Sequence, residues 1–137
     1  MSAIDHIHTI LSAAAVCERI FPVVAPQNVE LPCLVLTLVD EDDDATLAGQ
    51  SGYPVASVLV DCLSPSFGAA NELGGAVKGA LIDYRGDILD DGSPAVAVAR
   101  VSYLLLSGID HFDRGAHGDV WRRRLGFEMR YRDLVPT

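Results

Sequence analysis

The sequence predicts an α+β fold, a mostly antiparallel sheet of four to five strands with two helices packed on one face. Three observations predict it. Half of the 137 residues are apolar and 21% are charged, enough for a core and unlike disordered, collagen-like or coiled-coil chains. Two stretches repeat their apolar residues at the helical period, and several others alternate them or run continuously apolar. The apolar runs are long neighbours joined by loops, which suits antiparallel pairing more than a parallel sheet. The length suits a single domain over residues 1–137.

Each element has its own signal. Ile4, Ile7, Ile10, Leu11, Ala14 and Val16 or Cys17 follow a helical stripe, with Ser2 or Asp5 as cap. His6 and His8 stand two apart on that helix, do not share a face, and read as surface residues. Arg19–Val24 is extended, because Pro22 and the β-branched Val23 and Val24 disfavour helix. Pro32 opens a strand over 33–39. Residues 40–53 read as a long loop. A second strand runs from Val55 to Cys62, and Ser64-Pro65 signals a helix start. That helix reaches about Asp83, with Ala69, Ala70, Leu73, Ala76, Val77, Ala80 and Leu81 on its apolar stripe. Residues 95–106 form a third long strand, and 107–118 a polar loop. In the last strand, Trp121, Leu125, Phe127, Met129 and Tyr131 share one face with Arg123 as the exception, opposite Arg122, Arg124, Glu128, Arg130 and Arg132.

The net charge of −9 is uneven. Residues 1–61 hold nine acids against Arg19 alone, and residues 62–137 hold ten acids against nine bases. Such a field disfavours general nucleic-acid binding. No apolar run is long enough to span a bilayer as a helix, and the first residues lack the pattern of a signal peptide. Cys17, Cys33 and Cys62 are odd in number, form no C-x-x-C pair and sit beside apolar residues, so they read as reduced core thiols.

Motifs for chemistry are sparse. The sequence has no G-x-S-x-G elbow, Walker-A loop or dinucleotide glycine fingerprint, and no cofactor is expected. Asp110, His111, Asp113 and His117, with Asp119 close by, are histidines and carboxylates in one segment. They would serve a small metal-dependent hydrolase, though a solvated loop is the better reading of them. Asp40, Glu41, Asp42, Asp43 and Asp44 lack the calcium-loop pattern. Mutual repulsion keeps such a run in water or against a cation or a basic partner. Arg122, Arg124, Arg130 and Arg132 suit ion pairing between strands or subunits. A cytosolic adaptor dimerising through this last strand is a further reading.

Four segments, taken in order, carry a resemblance. They are Arg19–Gln27 followed by Leu31-Pro32, Val60–Ser64 leading into the helix with Phe67, Ala80–Gly86, and the arginine-rich final strand. Together they resemble the tail completion proteins, or tail terminators, of long-tailed bacteriophages, over nearly the whole chain. The resemblance implies a virion structural protein of the tail and neck, assembled in the host cytoplasm, and not an enzyme. It implies a homohexameric ring that caps the head-proximal end of the tail tube, ends its polymerisation and joins the head-tail connector or stopper protein. DNA would pass through without sequence-specific binding, and no membrane is involved. In such a ring, Asp40–Asp44 would line the bore or the axial face, and the Arg122–Arg132 row would face a neighbouring subunit.

Overall fold

The computed structural model describes residues 3–25, 29–43, 45–46, 49–50, 53–90, 92, 94–114 and 120–134. Helix α1 spans Ala3–Ala13 and buries Ala3, His6, Ile7, Ile10 and Leu11, spacings of three and four that keep one stripe inward. His6 belongs to this stripe, which corrects its reading as a surface residue, while His8 is exposed. The helix ends earlier than the apolar pattern suggests, because the backbone turns at Ala15 with φ +54°.

The strands are β1 (Ile20–Pro22), β2 (Cys33–Asp42), β3 (Ala45–Thr46), β4 (Gly49–Gln50), β5 (Val55–Ser64), β6 (Gly86–Leu89), β7 (Ala97–Arg114) and β8 (Trp121–Asp133), with helix α2 (Phe67–Leu81) after β5. Six of them form one sheet in the order β1-β2-β5-β8-β7-β6, and β3 and β4 form a separate two-stranded ribbon. The α+β class and the mostly antiparallel sheet hold. The strand count is a correction: the main sheet has six, and β1 pairs with β2 in parallel. Strand β1 falls inside the extended Arg19–Val24 segment; the added strand is β6, four residues that carry too little periodicity to be read from sequence.

The core lies between one sheet face and the two helices. In register across the sheet, Leu36, Val60 and Leu125 line up, as do Leu38, Val58, Phe127 and Leu106. Leu125, Phe127, Met129 and Tyr131 are buried as their alternation predicts. Ile7, Ile10 and Leu11 of α1 and Leu73, Val77 and Leu81 of α2 complete the same cluster. The thiols are free; Cys33 and Cys62 are buried and Cys17 is half-buried. Burial pushes the Cys62 thiol up to about 12 and raises Cys33 as well, so both stay protonated and act as small apolar groups.

Three local readings change. Ser66, not Ser64, caps α2: its hydroxyl accepts from the Ala69 N–H at 3.2 Å. Ser64 instead pairs with Trp121 at the end of β5, which delays the turn by two residues. Asp40, Glu41 and Asp42 are not loop; they continue β2 opposite Ser57, Ala56 and Val55 after an irregularity at Val39. Residues 107–114 are strand as well, paired with β8 as far as Arg114 opposite Trp121. In both cases a cross-strand partner satisfies backbone groups that polar side chains leave unmarked.

The β7–β8 ladder slips between Leu106 and Asp110, so Ser107, Gly108 and Ile109 bulge over Gly126. Gly108 takes φ +96° there, a conformation open to glycine at little cost. A Cβ on Gly126 would stand 2.6 Å from Ser107 Oγ and 2.9 Å from Ile109 Cβ. Gly126→Ala is therefore expected to destabilise the protein by about 1–3 kcal/mol. A lower urea midpoint at unchanged slope is the signature of that loss.

Candidate functional site

The charged residues singled out in the sequence lie in three places on the sheet. The first is the arginine row of β8. On the face away from the helices, Arg124 donates to Asp61 through Nε at 2.8 Å and Nη2 at 3.1 Å. Arg122 grips Asp113 the same way, with Nε at 2.9 Å and a short second contact from Nη2. These are fork-to-fork pairs, the strong geometry for a guanidinium on a carboxylate. Arg132 donates to the Tyr53 hydroxyl at 3.2 Å with its guanidinium 5.4 Å from that ring centre. Arg130 is half-buried, in register with Val55 and Tyr103. Strand β8 lies between β5 and β7, so dimerisation by strand addition to it is ruled out. Only its outer face is open to a partner.

The second place explains the exception in the β8 alternation. Arg123 points to the helix side and is buried. It donates to both oxygens of Asp110 at 2.8 Å and to the carbonyl and side-chain oxygens of Asn71 at 3.1 and 3.2 Å. Lys78 of α2 adds a 3.3 Å contact to the same carboxylate. The Arg123 hydrogen bonds, helped by Lys78, hold the Asp110 carboxyl down at about 2. Gly74 makes room for this: a Cβ there would overlap the Arg123 side chain. Beside it, Phe67 packs on Phe112 and Trp121 at centroid distances of 4.6 and 5.4 Å, and the Arg114 guanidinium lies 5.1 Å from the Trp121 ring centre. The network ties the first turns of α2 to the β7–β8 hairpin. Its sequence signal was the lone basic residue on an apolar strand face; Asn71 and Gly74, three apart on α2, gave none.

The proposed metal set is not assembled. Asp110 faces the helices, whereas His111 and Asp113 pair with Arg124 and Arg122 on the opposite face. The two carboxylates are engaged by guanidinium groups, and Arg122 holds Asp113 below the usual carboxylate range. His117 and Asp119 lie outside the described residues. Among the described residues no group of three or more histidines, cysteines and carboxylates stands where it could hold a metal ion.

The third place is the acidic end of β2. Asp40, Glu41 and Asp42 are exposed and Asp43 is half-buried; Asp44 lies outside the described residues. Glu41 is in register with the core residue Ala56 and accepts a short hydrogen bond from the Tyr131 hydroxyl. Burial first, and then this carboxylate, raise the Tyr131 pKa. Nearby, Nε2 of the fully buried His6 lies 2.6 Å from Asp133 Oδ1, and the imidazole meets the Tyr131 ring edge-on at 5.2 Å. Nothing in the sequence linked these residues.

A family model described as tail completion protein gp17 matches residues 4–132. The chain belongs to this family. Tail completion proteins are structural components of the phage virion, and the family places this one at the tail. The resemblance drawn from the four sequence segments is thereby confirmed. Among solved structures, a chain from the virion of a native gene transfer agent particle is similar to it. The TM-score is 0.66 and the identity 19%, covering 95% of this chain and 94% of that one. The likeness extends the shared fold over nearly the full length of both. No match was found among curated proteins. Among the described residues no helix is long and apolar enough to cross a membrane.

Proposed function

We propose that this tail completion protein caps the head-proximal end of the tail tube as a homohexameric ring. It ends tube polymerisation and presents a surface to the head-tail connector or stopper protein. Family membership over residues 4–132 carries this reading. The fold is compatible with it, since head-to-tail contacts between different surfaces of one subunit close into a ring when the rotation between copies closes. The arginine face of β8 turns toward neighbouring subunits, and no catalysis is required of any residue. The direct test is to add purified protein to polymerising tube protein and measure tube lengths. Short tubes with a ring at one end are expected; unlimited growth overturns the reading.

The acids at the end of β2 project into the bore or onto the axial face in this arrangement. Repeated around a ring, they form a negative collar past which DNA slides without adhering. Replacing Asp40, Asp42, Asp43 and Asp44 by asparagine and Glu41 by glutamine is expected to leave the monomer folded, because the amide oxygen of the new glutamine still accepts from Tyr131. Ring docking or DNA retention in assembled particles is expected to fall. Normal titre and full DNA content would reduce the run to a solubilising segment.

A further inference from the structure

We propose that the turn Pro22–Val24 and the free edge of β2 beyond it form a docking surface for another virion protein, one that offers an apolar recess rimmed with lysine or arginine. The inference rests on the capping reading and selects the axial face, rather than the bore, for the acids of β2. Among the described residues the three most exposed large apolar side chains are Val24 (72%), Val23 (67%) and Val39 (60%). Exposed apolar residues scattered singly are ordinary, but these three share one edge of the sheet. The Val23 N–H donates to the Leu36 carbonyl at 2.7 Å, and Val39 follows Leu36 by three residues, about 10 Å along the strand. Strand β1 stops at Pro22, opposite Leu36. Among the described residues no strand lies on the outer side of β2 from Thr37 to Asp42.

The backbone adds an independent observation. Val23 takes φ +68°, and the Val24 N–H reaches back to the Pro22 carbonyl at 2.7 Å. A three-residue turn with its central residue at positive φ is rare and strained, and a β-branched side chain suits that region poorly. Strain of this kind gathers where a protein contacts something else. Neither valine is buried in its own chain, so no packing within the subunit offsets the strain; burial against a partner does. Charge then narrows the partner. Asp40 and Asp42 are exposed on the same strand, and among the described residues neither has an ion-pair partner. Their field favours a basic surface and repels an acidic one. A second copy of this chain is a poor source of one. Its Arg19, Arg100, Arg122, Arg123 and Arg124 are each held by a carboxylate of the same chain. The occupant is therefore a different protein of the tail or neck.

Three measurements test this. In the isolated chain, Val23→Gly is expected to show a higher urea midpoint than Val23→Ala, the reverse of the usual order, because only glycine takes this turn without strain. A lower midpoint for the glycine variant would overturn the strained turn and with it the proposal. The triple variant Val23→Ser/Val24→Ser/Val39→Ser is expected to keep its circular dichroism, since all three side chains are exposed, and to lower the yield of complete particles at least tenfold. Normal yield would place the docking surface elsewhere. The third measurement puts the photo-reactive p-benzoylphenylalanine at position 24 and irradiates assembled particles. Mass spectrometry is expected to find it joined to a segment of another virion protein that carries lysine or arginine. Attachment to a second copy of this chain, or to a segment without a base, would overturn the proposal. These outcomes are read in the isolated chain and in particles, apart from the tube-length assay. Unmodified protein that fails to stop tube growth overturns the capping reading instead.

Discussion

Phe127→Ala is expected to destabilise the protein by about 3–5 kcal/mol, the loss typical of truncating a buried phenylalanine. Phe127 is 1% exposed and sits at the middle of β8, with Val58 on one side and Leu106 on the other. The loss has two parts, the apolar area returned to water and the cavity left behind. Collapse into that cavity is limited, because the residue is held by paired strands on both sides. Chemical denaturation of the purified variant checks the value. A loss below about 1 kcal/mol in a folded variant would contradict the burial of this face.

Asp110→Ala is expected to cost about 1–3 kcal/mol. Its removal leaves the Arg123 guanidinium, which is 9% exposed, without its carboxylate, and a pair held by two charge-assisted hydrogen bonds is worth more than an ordinary surface ion pair. Adding Arg123→Met to the same chain is expected to recover part of the loss, since the charge then goes with its partner. The pair also has a pH signature. With the folded Asp110 carboxyl at about 2, against about 3.9 for a free aspartate, the group binds its proton more readily in the unfolded chain. Its contribution to stability is complete above roughly pH 4 and is lost as pH falls toward 2. Asp113, lowered by Arg122, loses its contribution in the same direction. Asp110→Asn should therefore flatten, without abolishing, the fall in stability over that acidic range. An unchanged acid profile would mean that Asp110 is not charged against Arg123 in the folded protein.

The local alternation of 121–131, the helical stripes of α1 and α2, and the apolar runs of β2 and β5 were all legible in the sequence. Their burial is decided by side-chain period, which the chain carries residue by residue. The family was legible for a related reason, since its segments recur in order along the chain. The same alternation marked Arg123 as out of place without saying what held it there.

By itself, then, the sequence determined the fold class, the two helices, the long strands, the inward face of β8 and the family. Only the tertiary structure decided where those strands end and what the charged residues do. Asp40–Asp42 and Asp110–Asp113 look like loop because they are polar, yet they lie in strands, since Val55–Ser57 and Arg122–Leu125 pair with them. His6 looks like a surface residue, yet it is buried against Asp133, 127 positions away. Hydrogen bonds and ion pairs are set by distance in space. Partners brought together from remote strands and helices leave no period in either local stretch.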